Sequence, residues 1–367
     1  MTSTPAISLI GLPRRDLEQF FAGIGEKPFR ARQLMKWIYG RGVLDPAQMT
    51  DLGIALRHDL AARAPVRLPS ILAAQESADG TMKWRLDAGA GQAIETVFIP
   101  EPDRGTLCVS SQVGCAMDCS FCATGQQGFN RNLTAAQIIS QVLLARRELG
   151  DSQGRSPITN VVFMGMGEPL ANFRAVVQVC DVLVDDLACK LSRRRVTVST
   201  CGLVPQIRRL GGESRVALAV SLHAPDDDLR NQLVPINRLH PIAELLDACW
   251  AYVDATNTRE ITFEYVMLEG VNDSPAQARR LAALLRGRPA KLNLIPFNPF
   301  PGAAYRRSSP EAVNEFRLIL STAGVVTVTR RTRGDDIAAA CGQLAGQVEN
   351  RVRAPLGSKL QETACLS

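Results

Sequence analysis

The sequence predicts an α/β fold: a partial (βα)6-type barrel preceded by a small helical domain and a β-hairpin linker. Three observations carry this. From about residue 105, β-prone runs alternate with helical patterns, the rhythm of βα units around a parallel sheet. The first ~70 residues instead hold three short helical patterns separated by Gly and Pro. Between these regions, MKWRLDA and AIETVFIP flank a Gly-rich turn and read as a hairpin.

Residues 1–72 contain LPRRDLEQFFAGIG, KPFRARQLMKWIYGRG and MTDLGIALRHDLAAR. In the second, Phe29, Leu34 and Ile38 share one helical face and leave Arg30, Arg32, Lys36 and Arg41 to solvent. Up to residue 70 there are ten Lys or Arg against six Asp or Glu, so this accessory domain is basic and suits RNA. Residues 73–104 form the hairpin linker. Residues 105–345 form the core, with strands in TLCVSS, NVVFMGM, RVTVST, VALAVSL, ITFEYVML, KLNLIPF and VVTVTRR. NLTAAQIISQVLLARREL and FRAVVQVCDVLVDDL are its clearest helices, and residues 346–367 are a tail. Parallel α/β folds build their sites just past the strand ends. The cysteine-rich stretch, GMGEP, STCG, SLHAP and PFNPFPG all fall there.

At 367 residues, 46% hydrophobic and 21% charged, the chain is long enough for a sizeable core and too apolar for extensive disorder. No window approaches the ~20 apolar residues of a spanning helix, and the N-terminus lacks a signal-peptide pattern. A membrane role is excluded and a cytoplasmic monomer expected. In that reducing compartment, ten cysteines point to free thiols, metal ligands or catalytic groups before structural disulfides. The net charge of +6 fits a polyanionic partner. Arg193–Arg195, Arg306–Arg307 and Arg330–Arg333 add basic clusters that read as phosphate contacts or as solvated faces.

Four cysteines crowd into CVSSQVGCAMDCSFCATG, Cys108 to Gly125. Cys115, Cys119 and Cys122 form C-x3-C-x2-C on a loop after an apolar strand, a spacing that wraps one soft metal centre. Zinc and iron-sulfur both satisfy it. A closed zinc site needs a fourth ligand, and His58, His223 and His240 offer no paired spacing.

With Phe121 before the last cysteine and GMGEP after the next strand, this pattern resembles the radical S-adenosylmethionine (SAM) enzymes. QQGFNRNL, SLHAPDDDLRNQLVPINR, EYVMLEGVNDS, NLIPFNPFPG and RGDDIAAACGQL narrow the resemblance to the RlmN family of RNA adenine C2 methyltransferases, from the N-terminal domain to about residue 350. The resemblance implies a 4Fe-4S cluster on Cys115, Cys119 and Cys122. It implies a SAM site lined by Gly167, Glu168, Ser199, Ser221, Leu222, His223 and Asn298. Cys341 would be methylated and carry the new carbon, Cys108 would be its thiol partner, and Glu95 would accept the C2 proton.

C2 of adenine lies between two nitrogens and is electrophilic, so a polar attack on the sulfonium methyl is closed. The family chemistry therefore implies two SAM molecules per turnover, one methylating Cys341 and one cleaved reductively. A methylene on the Cys341 sulfur adds to C2, and Cys108 then releases the RNA as a disulfide forms with Cys341. The partners implied are 23S rRNA, tRNA and an electron donor such as flavodoxin or ferredoxin. Two rivals remain at this stage: a Cfr-type C8 methyltransferase, and a zinc-stabilised RNA-binding protein without catalysis. Cys180, Cys189, Cys201, Cys249 and Cys365 match no functional motif and read as packing residues.

Overall fold

The structure is a computed structural model that describes residues 8–150 and 156–351; Cys365 and most of the 346–367 tail lie outside them. Three helices open the chain: α1 (Arg14–Gly23), α2 (Phe29–Met35), continued by a wider turn to Gly40, and α3 (Ile54–Arg63). Leu34 and Ile38 are buried as expected, but Phe29 is 46% exposed. It is the first residue of α2, beyond the packed face, and Arg30 covers its ring at 4.8 Å.

The hairpin is larger than expected. Strands β1 (Ile71–Glu76), β2 (Met82–Gly89), β3 (Gln92–Glu101) and β4 (Arg104–Cys108) form an antiparallel meander. The extra strand, β1, is mostly exposed, so its sequence carries little alternation. A two-stranded ribbon, β5 (Gln112–Gly114) with β6 (Phe129–Asn132), brackets the cysteine loop. From β4 the sheet turns parallel through β7 (Asn160–Phe163), β8 (Val196–Thr200), β9 (Ala217–Ser221), β10 (Ile261–Met267), β11 (Ala290–Pro296) and β12 (Val326–Thr329). The full order is β1-β2-β3-β4-β7-β8-β9-β10-β11-β12, an open barrel of six strands plus a C-terminal one, with the meander extending one edge.

The short α4 (Ala123–Gln126) follows the cysteines, and the outer layer is α5 (Ala135–Glu148), α6 (Phe173–Val184), α7 (Val204–Glu213), α8 (Asp227–Leu233), α9 (Ile242–Thr256), α10 (Pro275–Leu285) and α11 (Pro310–Thr322). Capping boxes start α5 (Thr134 with Gln137) and α10 (Ser274 with Gln277). Alternate residues of β10 show why the layers hold: Ile261, Phe263, Tyr265 and Met267 are fully buried in the hydrophobic core, while Thr262 and Glu264 line the cavity inside the barrel.

The N-terminal helices dock on this outer layer. Arg14 bonds Asp185 at 2.5 Å and Asp186, and Arg146 donates to the Tyr39 carbonyl at 2.7 Å. At the other terminus, the beginning of the expected tail is pinned: Ala93 and Gln347 exchange backbone bonds at 2.9 Å, and Arg351 N donates to Phe129 O at 2.9 Å.

Candidate active site

The cysteine loop is held by its own backbone. Cys115 N donates to Gly128 O at 2.7 Å and Cys122 N to Cys119 O at 3.1 Å. Gly114 has φ +76, and a Cβ there would lie 2.1 Å from Gly128 O, so only glycine lets the ribbon close onto the loop. Cys115, Cys119 and Cys122 are half-buried free thiols. Burial pushes all three well up, and Cys119 is raised further by Cys115 and Cys122 beside it. Bare thiols so placed stay protonated; a cationic metal group would draw the protons off and use the thiolates. No three His, Cys, Asp or Glu among the described residues are arranged around a single metal ion. Three such thiols on one loop are a soft donor set that fits an iron-sulfur cluster.

GMGEP presses against the segment leading into the loop. Gly167 has φ +101, and a Cβ would meet Gln112 at 2.5 Å. Met166 O accepts from Ser111 N and Gln112 N. Glu168 is 3% exposed; its Oε1 accepts from Leu170 N at 2.9 Å and Oε2 from Cys201 N at 2.8 Å. Burial raises its carboxyl despite these bonds. Ser199 lies near the end of β8, Ser221 ends β9, and Leu222 and His223 follow. His223 has φ +60, accepts from Val266 N on Nδ1 at 3.0 Å and meets the Phe121 ring edge-on at 4.5 Å. Burial, then Arg230, push its imidazole down to about 3, so it is neutral.

Arg230, which the sequence did not single out, ties these loops together. It is fully buried and donates to Leu222 O (3.0 Å), Asn237 Oδ1 (2.8 Å), Cys201 O (2.7 Å) and Ser221 O (2.8 Å). Burial lowers it to about 10, which leaves it a cation at neutral pH beside Cys119 and Cys201. The available signal was an arginine between the leucines of DDLRNQL, on the side that packs inward.

Cys108 ends β4 and is 8% exposed; Cys341 follows the last helical turn and is half-buried. Both line one cavity of about 1000 Å³ inside the barrel. Burial, then Cys341, push the Cys108 thiol up to about 12. Arg330 completes the group: its guanidinium is held above its ordinary value by Cys341 first, and by Glu264 and Cys108. The sequence placed Arg330 in a basic cluster that reads as phosphate contacts or as a solvated face, whereas it lines the cavity inside the barrel. Every cysteine among the described residues is a free thiol, so the expected Cys108–Cys341 disulfide is not the state seen.

The Cys341 loop is stitched to its surroundings. Asn298 Nδ2 donates to Cys341 O at 3.1 Å, Ala123 N to Gly342 O at 2.8 Å, and Thr124 Oγ1 to Leu344 O at 2.6 Å. Asn298, expected at the cofactor, holds the Cys341 loop. Glu95 is 7% exposed, accepts from Ala345 N at 3.0 Å and has Lys83 3.6 Å away. It sits at the root of the loop and is not among the residues lining the cavity.

The lining of the cavity reaches the N-terminal ends of the strands, where Arg193, Arg194, Arg215 and Arg259 are exposed and Arg104, also exposed, pairs with Glu101. Arg306 pairs with Glu269 at 2.8 Å and Arg307 donates to Phe297 O at 2.6 Å.

Comparison with known proteins agrees with this geometry. Residues 7–66 match the family described as "Ribosomal RNA large subunit methyltransferase N-terminal domain", and residues 109–282 match "Radical SAM superfamily". The chain is similar to a radical SAM methyltransferase from Sphaerobacter thermophilus at 48% identity, covering 92% of this chain and 99% of that one, with a TM-score of 0.86. A looser likeness is to SuiB of Streptococcus suis bound to S-adenosylmethionine, at 12% identity, 61% and 50% coverage and a TM-score of 0.45.

Proposed function

Since the chain belongs to the RlmN family and is a radical SAM methyltransferase, we propose that it methylates C2 of an adenine in 23S rRNA, in the peptidyl transferase centre, and of an adenine in certain tRNAs. The observation that carries this reading is the pairing of two thiols, Cys108 and Cys341, in one barrel cavity beside the three-cysteine loop.

Cys115, Cys119 and Cys122 would hold the 4Fe-4S cluster, with Gly167, Glu168, Ser199, Ser221, Leu222, His223 and Asn298 around SAM. The cluster, when bound, supplies the single electron that cleaves SAM to a 5′-deoxyadenosyl radical. Cys341 accepts a methyl group from a first SAM and, after loss of one hydrogen atom from that methyl, carries the methylene to C2. The ring radical left by this addition gives up one electron, which the cluster would take back, and the C2 proton is assigned to Glu95, which accepts from Ala345 N at the root of the Cys341 loop and would meet the base as that loop carries it. Cys108 attacks the Cys341 sulfur; the S–S bond forms, the C–S bond to the RNA breaks with its electron pair going to the methylene carbon, that carbon takes up a proton to become the methyl group, and external reductant resets both thiols. Two SAM molecules are used per turnover.

The exposed arginines lining the cavity at the N-terminal strand ends support a phosphate backbone as the substrate's framework, and residues 1–72 are assigned to RNA docking. A loop nucleotide, already unstacked, enters at least cost. No helix among the described residues is long and apolar enough to cross a membrane; we assign a cytoplasmic monomer that draws electrons from a flavodoxin or ferredoxin. The reading is tested by incubating anaerobically reconstituted protein with SAM, reductant and an rRNA fragment, then analysing nucleosides by mass spectrometry. It requires 2-methyladenosine. An 8-methyladenosine product would place the protein with Cfr-type enzymes, and protein carrying zinc without iron would end the catalytic reading.

A further inference from the structure

Glu264 stands midway along β10 on the side facing the cavity, an acidic residue in the otherwise apolar run ITFEYVML. Its side chain is 5% exposed. Oε1 accepts from Nδ2 of Asn293, its register partner on β11, at 3.0 Å. Oε2 has no hydrogen-bond partner, and Arg330 Nη1 stands 3.8 Å from it, close enough for an ion pair and too far for a hydrogen bond. A buried carboxylate oxygen without a donor is unfavourable, and such groups are rare unless a ligand satisfies them. None of the steps assigned above uses this oxygen. Glu264, Asn293 and Arg330 line the same cavity as Cys108 and Cys341.

We propose that Glu264 Oε2 accepts a hydrogen bond from the exocyclic 6-amino group of the target base while Arg330 donates to the ring nitrogen next to it, so that this pair selects adenine over guanine; the inference rests on the adenine-modifying reading above. An ionised carboxylate only accepts and a guanidinium only donates. Together they complement an amino group beside a bare ring nitrogen, which is the polar edge of adenine. Guanine presents the reverse pattern, a carbonyl and an N–H. The ring nitrogen that would meet Arg330 is bonded to C2. A base held by this edge therefore offers C2 on the Arg330 side, where Cys341 and Cys108 act on the same guanidinium.

The test compares two RNA fragments, identical except that one carries adenosine and the other purine riboside, which lacks the 6-amino group, at the target position. For the wild-type enzyme kcat/KM should fall on the order of 100-fold for the purine RNA, because a site built to receive an N–H is left unpaired. In Glu264→Gln the amide oxygen stays on Asn293 and an N–H faces the base, so the adenosine-to-purine ratio should collapse toward one. The ratio is taken within each protein, so a general loss of activity cancels. A wild-type enzyme that treats both RNAs alike overturns the proposal without any variant, as does a Glu264→Gln protein that keeps the wild-type ratio. If Glu264→Gln keeps that ratio but loses SAM-dependent methylation of Cys341 in the absence of RNA, the oxygen serves the cofactor and the proposal is likewise overturned. Absence of any methylation of the adenosine RNA by the wild type would instead sink the underlying reading.

Discussion

The two ends of the barrel handle charge in opposite ways. At the C-terminal ends of the strands, Glu168 and Arg230 are buried and each is held by several short bonds to backbone or amide groups. At the other end, Arg193, Arg194, Arg215 and Arg259 line the cavity and stand exposed. A buried charge bonded to dipoles of one loop and the next fixes those loops, because moving any of them strands the charge. An exposed cation fixes nothing locally but acts over a Debye length. On the proposed function, one end would hold a small cofactor and the Cys341 sulfur in place, and the other would gather a large anion of variable shape.

The largest effect should come from the thiols at the rigid end. Cys341→Ala is expected to abolish methylation of both protein and RNA, whereas Cys108→Ala should still form the RNA–protein adduct and fail to release it. Denaturing electrophoresis with labelled RNA reads this directly, and normal turnover by Cys108→Ala would remove the release role. Next, Arg230→Met leaves four buried acceptors without their donor and should cost on the order of 3 kcal/mol or more of stability, read from the denaturant midpoint. A loss below ~1 kcal/mol would show that the loops do not depend on that cation.

A smaller effect should follow pH. His223 is depressed to about 3 in the folded protein, against about 6.5 when unfolded, so below pH 6.5 the unfolded chain binds the extra proton. Stability is full above that value and falls with pH down to about 3. Between pH 7 and pH 5 the His223 contribution amounts to ~2 kcal/mol, and it should vanish in His223→Gln. Smallest, each alanine at Arg193 or Arg194 should weaken RNA binding roughly uniformly across sequences and reduce the salt slope by about one. Loss of binding without a change in slope would break the contrast between the two ends.

The sequence made the rigid end's outline readable. Period-two strand runs and the thiol spacing located the loops, since both are local signals, and the resemblance supplied the residues. Charge placement was not readable. Arg330 sits in a basic run indistinguishable from a surface patch, yet the turn after β12 carries it into the barrel, where Cys108 and Cys341 act on it. Arg230 and Glu264 lie inside motifs that were read as blocks, and only the assembled sheet shows which side of α8 and β10 they occupy. The ribbon of β5 and β6 escaped for a related reason: its strands are three and four residues long and pair across the cysteine loop, a contact with no local signature. Glu95 was found through its motif, but its bond to Ala345 spans 250 positions and only the fold reveals it.

The most direct test of the account is the isotope content of the product. Reconstituted enzyme is supplied with SAM bearing a trideuterated methyl group and with an rRNA fragment, and the digested nucleosides are weighed. Passage through a Cys341-bound methylene predicts 2-methyladenosine with two deuteriums in its new methyl group. Three retained deuteriums would contradict the methylene route, whichever carbon carries the methyl.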